Sequence, residues 1–80
     1  MTTRECVANR ILKLCFDRRL AVNALAHQAG MAPTTLKNII SGGSRNPGIV
    51  TIKIICDGLG ISLTEFFDTE EFRSLEQEDI

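Results

Sequence analysis

Covalent or metal chemistry in this sequence would have to come from its cysteines and its one histidine. Cys6, Cys15 and Cys56 form no C-x-x-C pair, and His27 has no cysteine or histidine at metal-binding spacing. A nucleophilic thiol needs an activating base, and the sequence offers no second histidine for such a dyad. We therefore expect no enzyme, no metal site and no cofactor, and we interpret the cysteines as small core residues.

The charged side chains are divided unevenly along the chain. Its 80 residues carry 9 Lys and Arg against 10 Asp and Glu, and the resulting net charge of −1 by itself argues against binding to nucleic acid. Residues 1–64, however, hold 8 basic and 3 acidic side chains, whereas residues 65–80 hold 1 basic and 7 acidic ones. The chain thus has a basic body of charge +5, the sign that binding to phosphates requires, and an acidic end.

Length and hydropathy restrict the class of protein further. A chain of 80 residues forms one small domain with a thin core, which argues against a large enclosed substrate pocket. The apolar runs are too short to span a membrane, and the N-terminus leads into no apolar segment of a signal peptide. We expect a cytoplasmic protein without a membrane partner.

Helical periodicity and helix-end signals account for the first half of the chain. Thr2 and Glu5 have the spacing of a capping box, and an apolar stripe follows, so a helix is predicted over residues 2–19. A short helix is predicted over residues 22–29, before a glycine that suits a left-handed helix end. Pro33 then opens a further helix, because its missing N–H costs nothing in the first turn.

Residues 49–59 have conflicting local signals. Their first half is rich in β-branched residues, which favours a strand. Ile52, Ile55, Cys56 and Leu59 nevertheless have the spacing of one helical face. Since the chain contains no other strand with which this segment would pair, we predict a helix.

The C-terminal segment begins with another helix signal and becomes acidic. Ser62 and Glu65 form a second capping-box pattern, which predicts a short helix through Phe67. One weak helix is predicted from Thr69 to about Gln77.

The most informative stretch is residues 22–41, with the sequence VNALAHQAGMAPTTLKNIIS. Its pattern predicts two short helices joined by a tight turn, in which Ala26 is small where the helices cross and Gly30 permits the turn. This stretch resembles the helix-turn-helix of phage repressor/Cro-type (lambda repressor-like) domains. The resemblance extends from Val7 to Phe67, through the Arg-Asn-Pro at 45–47 and the Leu-Gly-Ile-Ser at 59–62.

The resemblance implies an all-α, compact five-helix DNA-binding domain over residues 1–67, followed by an acidic helix or tail over residues 68–80. Members of this family bind operator DNA, usually as two-fold dimers, with the third helix in the major groove. That helix corresponds to residues 32–41. The matching base-reading positions, with the neighbouring lysine, are Pro33, Thr34, Lys37 and Asn38, and the matching DNA-backbone positions are Thr35, Ser41, Arg45 and Asn46.

The resemblance therefore implies a transcriptional regulator that acts as a repressor and binds double-stranded DNA as a homodimer. Since no sensor domain follows in this sequence, we expect no small-molecule effector. Two positions depart from the family pattern. Val22 stands where relatives commonly have a glutamine that supports the backbone contact, and Ala32 stands where they have a capping Ser or Thr. These departures leave open the alternative of a protein-interaction module that keeps the fold and binds DNA weakly or not at all.

A second question concerns the flank of the helix predicted over residues 49–59. Val50 and Ile54 lie beside its core stripe, where relatives more often carry charge, and Gly58 continues this exposed flank without a side chain. The two interpretations are that this flank is a surface for self-association, or that Phe72 and Leu75 of the C-terminal segment fold over it.

Overall fold

Six α-helices follow one another in the computed structural model, which describes residues 1–44 and 46–79. Their bounds are α1 Thr3–Asp17, α2 Val22–Ala29, α3 Pro33–Ser41, α4 Ile49–Leu59, α5 Leu63–Phe67 and α6 Glu70–Arg73. The described residues contain no strand, so the predicted all-α class is confirmed. The five helices that the resemblance implies correspond to α1–α5, and α6 is a short addition within the acidic end.

The capping box predicted at the start of α1 is present. The Thr2 hydroxyl accepts a hydrogen bond from the Glu5 N–H at 3.2 Å, and the Glu5 carboxylate accepts one from the Thr2 N–H at 2.9 Å. The hydrogen bond from the Thr2 N–H to the carboxylate, followed by the Thr2 side chain, lowers the pKa of Glu5, because it favours the ionised form. The helix ends at Asp17, before the predicted residue 19, and Arg19 there has a left-handed backbone with φ 52°.

The segment with conflicting signals, residues 49–59, is the helix α4. Ile52, Ile55, Cys56 and Leu59 are buried, as the helical spacing requires. Burial of this face outweighs the intrinsic preference of β-branched residues for strands, which amounts to only ~1 kcal/mol. No helix in the described residues is long and apolar enough to cross a membrane.

The core lies where α1–α5 converge, and its largest fully buried side chain is Phe66 of α5. The buried residues of this cluster are Val7, Ile11, Leu14, Cys15, Leu25, Ala26, Leu36, Ile39, Ile52, Ile55, Cys56, Leu59, Ile61 and Phe66. α2 lies against both α3 and α4, so the first helix of the motif is held from two sides.

The crossing of α2 and α4 depends on small residues. A Cβ added at Gly58 would lie 2.9 Å from the Ala29 Cβ and 3.0 Å from its backbone atoms. The sequence interpretation placed Gly58 on the exposed flank with Val50 and Ile54, whereas the structure turns it towards α2. A glycine there allows the two backbones to approach closely.

The cysteines are core residues, as predicted. Cys6, Cys15 and Cys56 are all free and buried. Burial raises the pKa of each thiol, because it disfavours the charged thiolate. The thiols therefore remain protonated at neutral pH and pack as small apolar groups.

The C-terminal helices pack through three aromatic rings. Phe67 lies edge-on to both Phe66 and Phe72, with ring centroids 5.0 and 4.9 Å apart. Arg10 of α1 fastens α5 by donating hydrogen bonds to the backbone oxygens of Phe66 at 2.8 Å and Glu65 at 3.0 Å.

The weak helix predicted from Thr69 to about Gln77 is wrong in its extent, since α6 ends at Arg73. Beyond it the chain returns to the start of α1, where the Glu78 carboxylate accepts a hydrogen bond from the Thr3 N–H at 2.9 Å. The interpretation that Phe72 and Leu75 cover the flank of α4 is also wrong, because Val50 remains 69% exposed and Ile54 38% exposed.

Candidate nucleic-acid interface

α2 and α3 form a helix-turn-helix whose turn is centred on Gly30. Gly30 has a left-handed backbone with φ 68°, and the Met31 N–H that follows donates a hydrogen bond to the Ala26 oxygen at 3.0 Å. Met31 is partly buried against the core, so its side chain fills the inside of the turn. The predicted motif at residues 22–41 is thus present, with each residue in the expected place.

α3 presents one face to the core and the other to solvent. Leu36 is fully buried and Ile39 is 2% exposed, which fixes the helix by its inner side. The sequence-predicted positions on the same helix are all exposed: Pro33, Thr34, Thr35, Lys37, Asn38 and Ser41. Small and polar side chains on the outer face of a helix are of the kind that can contact base edges in a major groove.

A shallow hollow lies between α3 and the loop that leads to α4. It is lined by Thr35 and Asn38 from α3 and by Asn46 from the loop, together with Ser44 and Thr51. The loop folds back because the Ser44 N–H donates a hydrogen bond to the Asn38 backbone oxygen at 3.1 Å. The structure therefore brings Asn46 beside α3, whereas Arg45, predicted with it, lies outside the described residues.

Both helices of the motif begin without a side-chain cap. Ala21 precedes α2 and Ala32 precedes α3, and neither has a side-chain oxygen that accepts a first-turn N–H. This confirms the capping defect that the sequence predicts at Ala32. Uncapped N–H groups at a helix start can donate to phosphate oxygens, although Pro33 contributes none.

The basic side chains of the described residues differ in whether a carboxylate pairs with them. Lys13, Lys53 and Arg73 are each paired with carboxylates on their own side of the molecule. Lys37, in contrast, is exposed and has no carboxylate within ion-pair distance among the described residues. Its charge is free for an anionic partner. The described residues also contain no cluster of side chains suited to a metal ion.

The structure adds residues that the sequence argument missed. The Arg4 guanidinium of α1 lies against Gly42, the left-handed residue that ends α3, and would collide with a side chain there. Thr51 of α4 lines the hollow beside Asn38. No local sequence signal marks either residue, because each reaches α3 through the packing of a different helix.

Comparisons with known proteins agree with this geometry. The family model described as "Cro/C1-type HTH DNA-binding domain" matches residues 10–71. The crystal structure of prophage Lp1 protein 11 is 33% identical, with a TM-score of 0.80, and the match covers 94% of this chain and 100% of that one. No curated protein matches the chain.

A second solved structure is a larger protein. It is the HTH_3 family transcriptional regulator from Vibrio cholerae, 31% identical with a TM-score of 0.76 over 84% of this chain. The present chain spans 37% of that regulator's length. Since the family model extends over most of the present chain and includes both helices of the motif, the chain belongs to the Cro/C1-type helix-turn-helix family of DNA-binding domains.

Proposed function

We propose that this protein is a sequence-specific repressor of transcription that acts in the cytoplasm as a homodimer and reads the major groove of double-stranded DNA with α3. The observation that carries the proposal is the division of α3 into a buried apolar face and an exposed polar face. Residues 1–67 form the DNA-binding domain, and residues 68–80 are an acidic extension that faces away from DNA.

The base contacts are assigned to the exposed face of α3. The Asn38 amide can pair with both N6 and N7 of adenine, and Thr34 can bond to a base edge or contact a thymine methyl. Lys37 can reach guanine or a phosphate, and Pro33 packs against the groove at the start of the helix. An interface without arginine or glutamine on this helix depends partly on methyl contacts and DNA shape.

The DNA-backbone contacts surround that face. Thr35 and Asn46 line the hollow next to α3, and Ser41 lies exposed at the end of the helix. Their hydroxyl and amide groups can donate to phosphate oxygens and so fix the register of the domain on the duplex. Arg45 is assigned the same role from its position in the family motif.

The partner surface for a second copy is assigned to the start of α4. Ile49 is 58% exposed and lies beside Val50 and Ile54, so three apolar side chains share an uncovered surface. Lys53 and Asp57 on the same helix pair with each other, so this pair adds no net charge to the surface. A two-fold interface uses the same patch on both subunits. A homodimer that binds two half-sites has to present its two copies of α3 to successive major grooves, ~34 Å apart.

The proposal is tested by selecting binding sites from random duplexes and then measuring affinity across a salt series. We expect one two-fold symmetric sequence to be enriched, and affinity to fall linearly with salt on logarithmic axes. Asn38→Ala should change the preferred base at one position of each half-site, while the matched variant Asn9→Ala, on the exposed surface of α1, should change nothing. A pool without enrichment, or binding without salt dependence, contradicts the proposal.

The alternative of a protein-interaction module is favoured by one observation, the absence of arginine and glutamine from α3. It predicts a partner protein whose capture survives the combined substitution of Thr34, Lys37 and Asn38 by alanine. Loss of all binding in that variant would contradict the alternative and support recognition of DNA.

A further inference from the structure

Four of the six helices in the described residues end at a residue with a left-handed backbone, and the end of α1 differs from the other three. α2, α3 and α4 each end at a glycine with a left-handed backbone, at φ 68°, 92° and 71°. α1 ends in the same conformation at Arg19, with φ 52°, and Arg19 is the one non-glycine residue with positive φ in the described part of the chain.

The hydrogen bonds at this end are those of the glycine ends. The Arg19 N–H donates to the Phe16 oxygen at 3.1 Å and the Leu20 N–H to the Cys15 oxygen at 2.9 Å. The same pair of bonds closes α4, from Gly60 and Ile61, at 3.2 and 3.0 Å. A glycine would therefore suit position 19, and an arginine is disfavoured because its Cβ crowds the following carbonyl oxygen.

The Arg19 side chain has no role within the described fold that offsets this strain. It is exposed, and it makes no hydrogen bond or ion pair with another described residue. The nearest carboxylate in sequence, Asp17, accepts instead from Lys13 at 2.9 and 3.0 Å. An arginine at a position that suits glycine, with its guanidinium unpaired among the described residues, is available to a partner outside the chain.

The position of Arg19 identifies that partner. It ends the turn that leads into α2, and in helix-turn-helix complexes the first helix of the motif crosses the DNA backbone. The residues at the start of α2, Ala21 and Val22, offer no polar side-chain atom. We propose that Arg19, supported by the adjacent exposed Arg18, binds a backbone phosphate of the DNA that α3 reads, an inference that rests on the proposed function.

The chemistry of the guanidinium suits this contact. Its planar fork donates two parallel hydrogen bonds to phosphate oxygens, and it stays charged at every physiological pH. A phosphate contact carries no sequence information, so it should strengthen binding to every duplex equally.

The decisive variant is Arg19→Gly, because the inference predicts changes of opposite sign. Thermal stability should rise by about 4 °C, since glycine relieves the strained backbone of a small domain. Affinity for the selected duplex should fall about tenfold, and the logarithmic salt slope should decrease by about 1. The enriched sequence should stay the same, unlike that of Asn38→Ala.

Two controls separate the contact from a general effect of charge. Arg19→Lys keeps the charge but loses the planar fork, so it should retain the salt slope and only part of the affinity, while Arg73→Gln removes one positive charge from α6 and should leave binding unchanged. If the wild-type protein binds the selected duplex and Arg19→Gly binds it equally well with an unchanged salt slope, the inference is overturned and the proposed function stands. If the wild-type protein enriches no sequence and shows no salt slope, the proposed function fails and the inference fails with it.

Discussion

α3 and α4 have similar faces towards the core and different faces towards solvent. Each packs apolar side chains into the common core, where Leu36 of α3 and Ile55 of α4 are both fully buried. The outer face of α3 carries Thr34, Lys37 and Asn38, whereas that of α4 begins with Ile49 and Val50. Because outward residues contribute little to folding, this difference supports the proposed function, in which α3 has a polar, charged partner and α4 an apolar one.

The inner faces should respond equally to truncation, and this is the largest effect we expect. Leu36→Ala and Ile55→Ala should each lower the free energy of unfolding by about 2–5 kcal/mol, because each leaves a cavity in a thin core. Urea denaturation followed by circular dichroism measures the effect. A much smaller loss of stability in one of the two variants would show that the two inner faces are not equivalent.

Substitutions on the outer faces should change stability less than those in the core, and each should affect a different binding property. Asn38→Ala should weaken binding to its preferred duplex by about 1–3 kcal/mol without dissociating the dimer. Val50→Glu should dissociate the dimer and leave binding to a half-site, since a carboxylate is costly in an apolar interface.

Sedimentation and gel shift on the same samples measure these two properties separately. Leu12→Glu is the matched control for Val50→Glu, because Leu12 is an exposed leucine on α1 at 42%. If the Val50→Glu protein sediments like the wild type, α4 is not the dimer surface.

A substitution at the start of α3 should change the free energy of unfolding by less and in the opposite direction. Ala32→Ser should raise the free energy of unfolding by about 1 kcal/mol, because the hydroxyl can accept a first-turn N–H that now lacks a side-chain partner. Ala24→Ser, within α2, introduces the same hydroxyl where no cap is needed and should give no gain. Equal melting temperatures for Ala32→Ser and the wild type would show that the start of α3 is not limiting for stability.

The smallest expected effect is the pH dependence at the start of α1. The hydrogen bonds with Thr2 lower the pKa of Glu5 in the folded protein. A lowered carboxyl pKa contributes stability above the pKa of the unfolded chain, and this contribution is lost as the pH falls through the folded value. Between about pH 6 and pH 3, the melting temperature of Glu5→Gln should therefore fall less steeply than that of the wild type. The glutamine can keep the capping bonds without titrating. Identical pH profiles would contradict this role for Glu5.

Much of the local structure was predictable because its causes are local. The glycine end of α2 and the proline start of α3 depend on residues within one turn of each boundary. The exposure of Asn38 and Lys37 was also predictable, since the apolar stripe of α3 sets which side faces the core. The end of α1 was missed because Arg19 occupies a left-handed position that its residue type does not signal.

What the sequence by itself determined is the set of helices and the face that each turns to the core, because both follow from side-chain periodicity and helix-end chemistry. Only the tertiary structure decided which distant residues meet. It placed Arg4 against Gly42, turned Gly58 towards Ala29, and packed Phe72 on α5 instead of α4. These contacts depend on the angles and distances at which helices pack, which arise from the whole core at once and leave no local pattern in the chain.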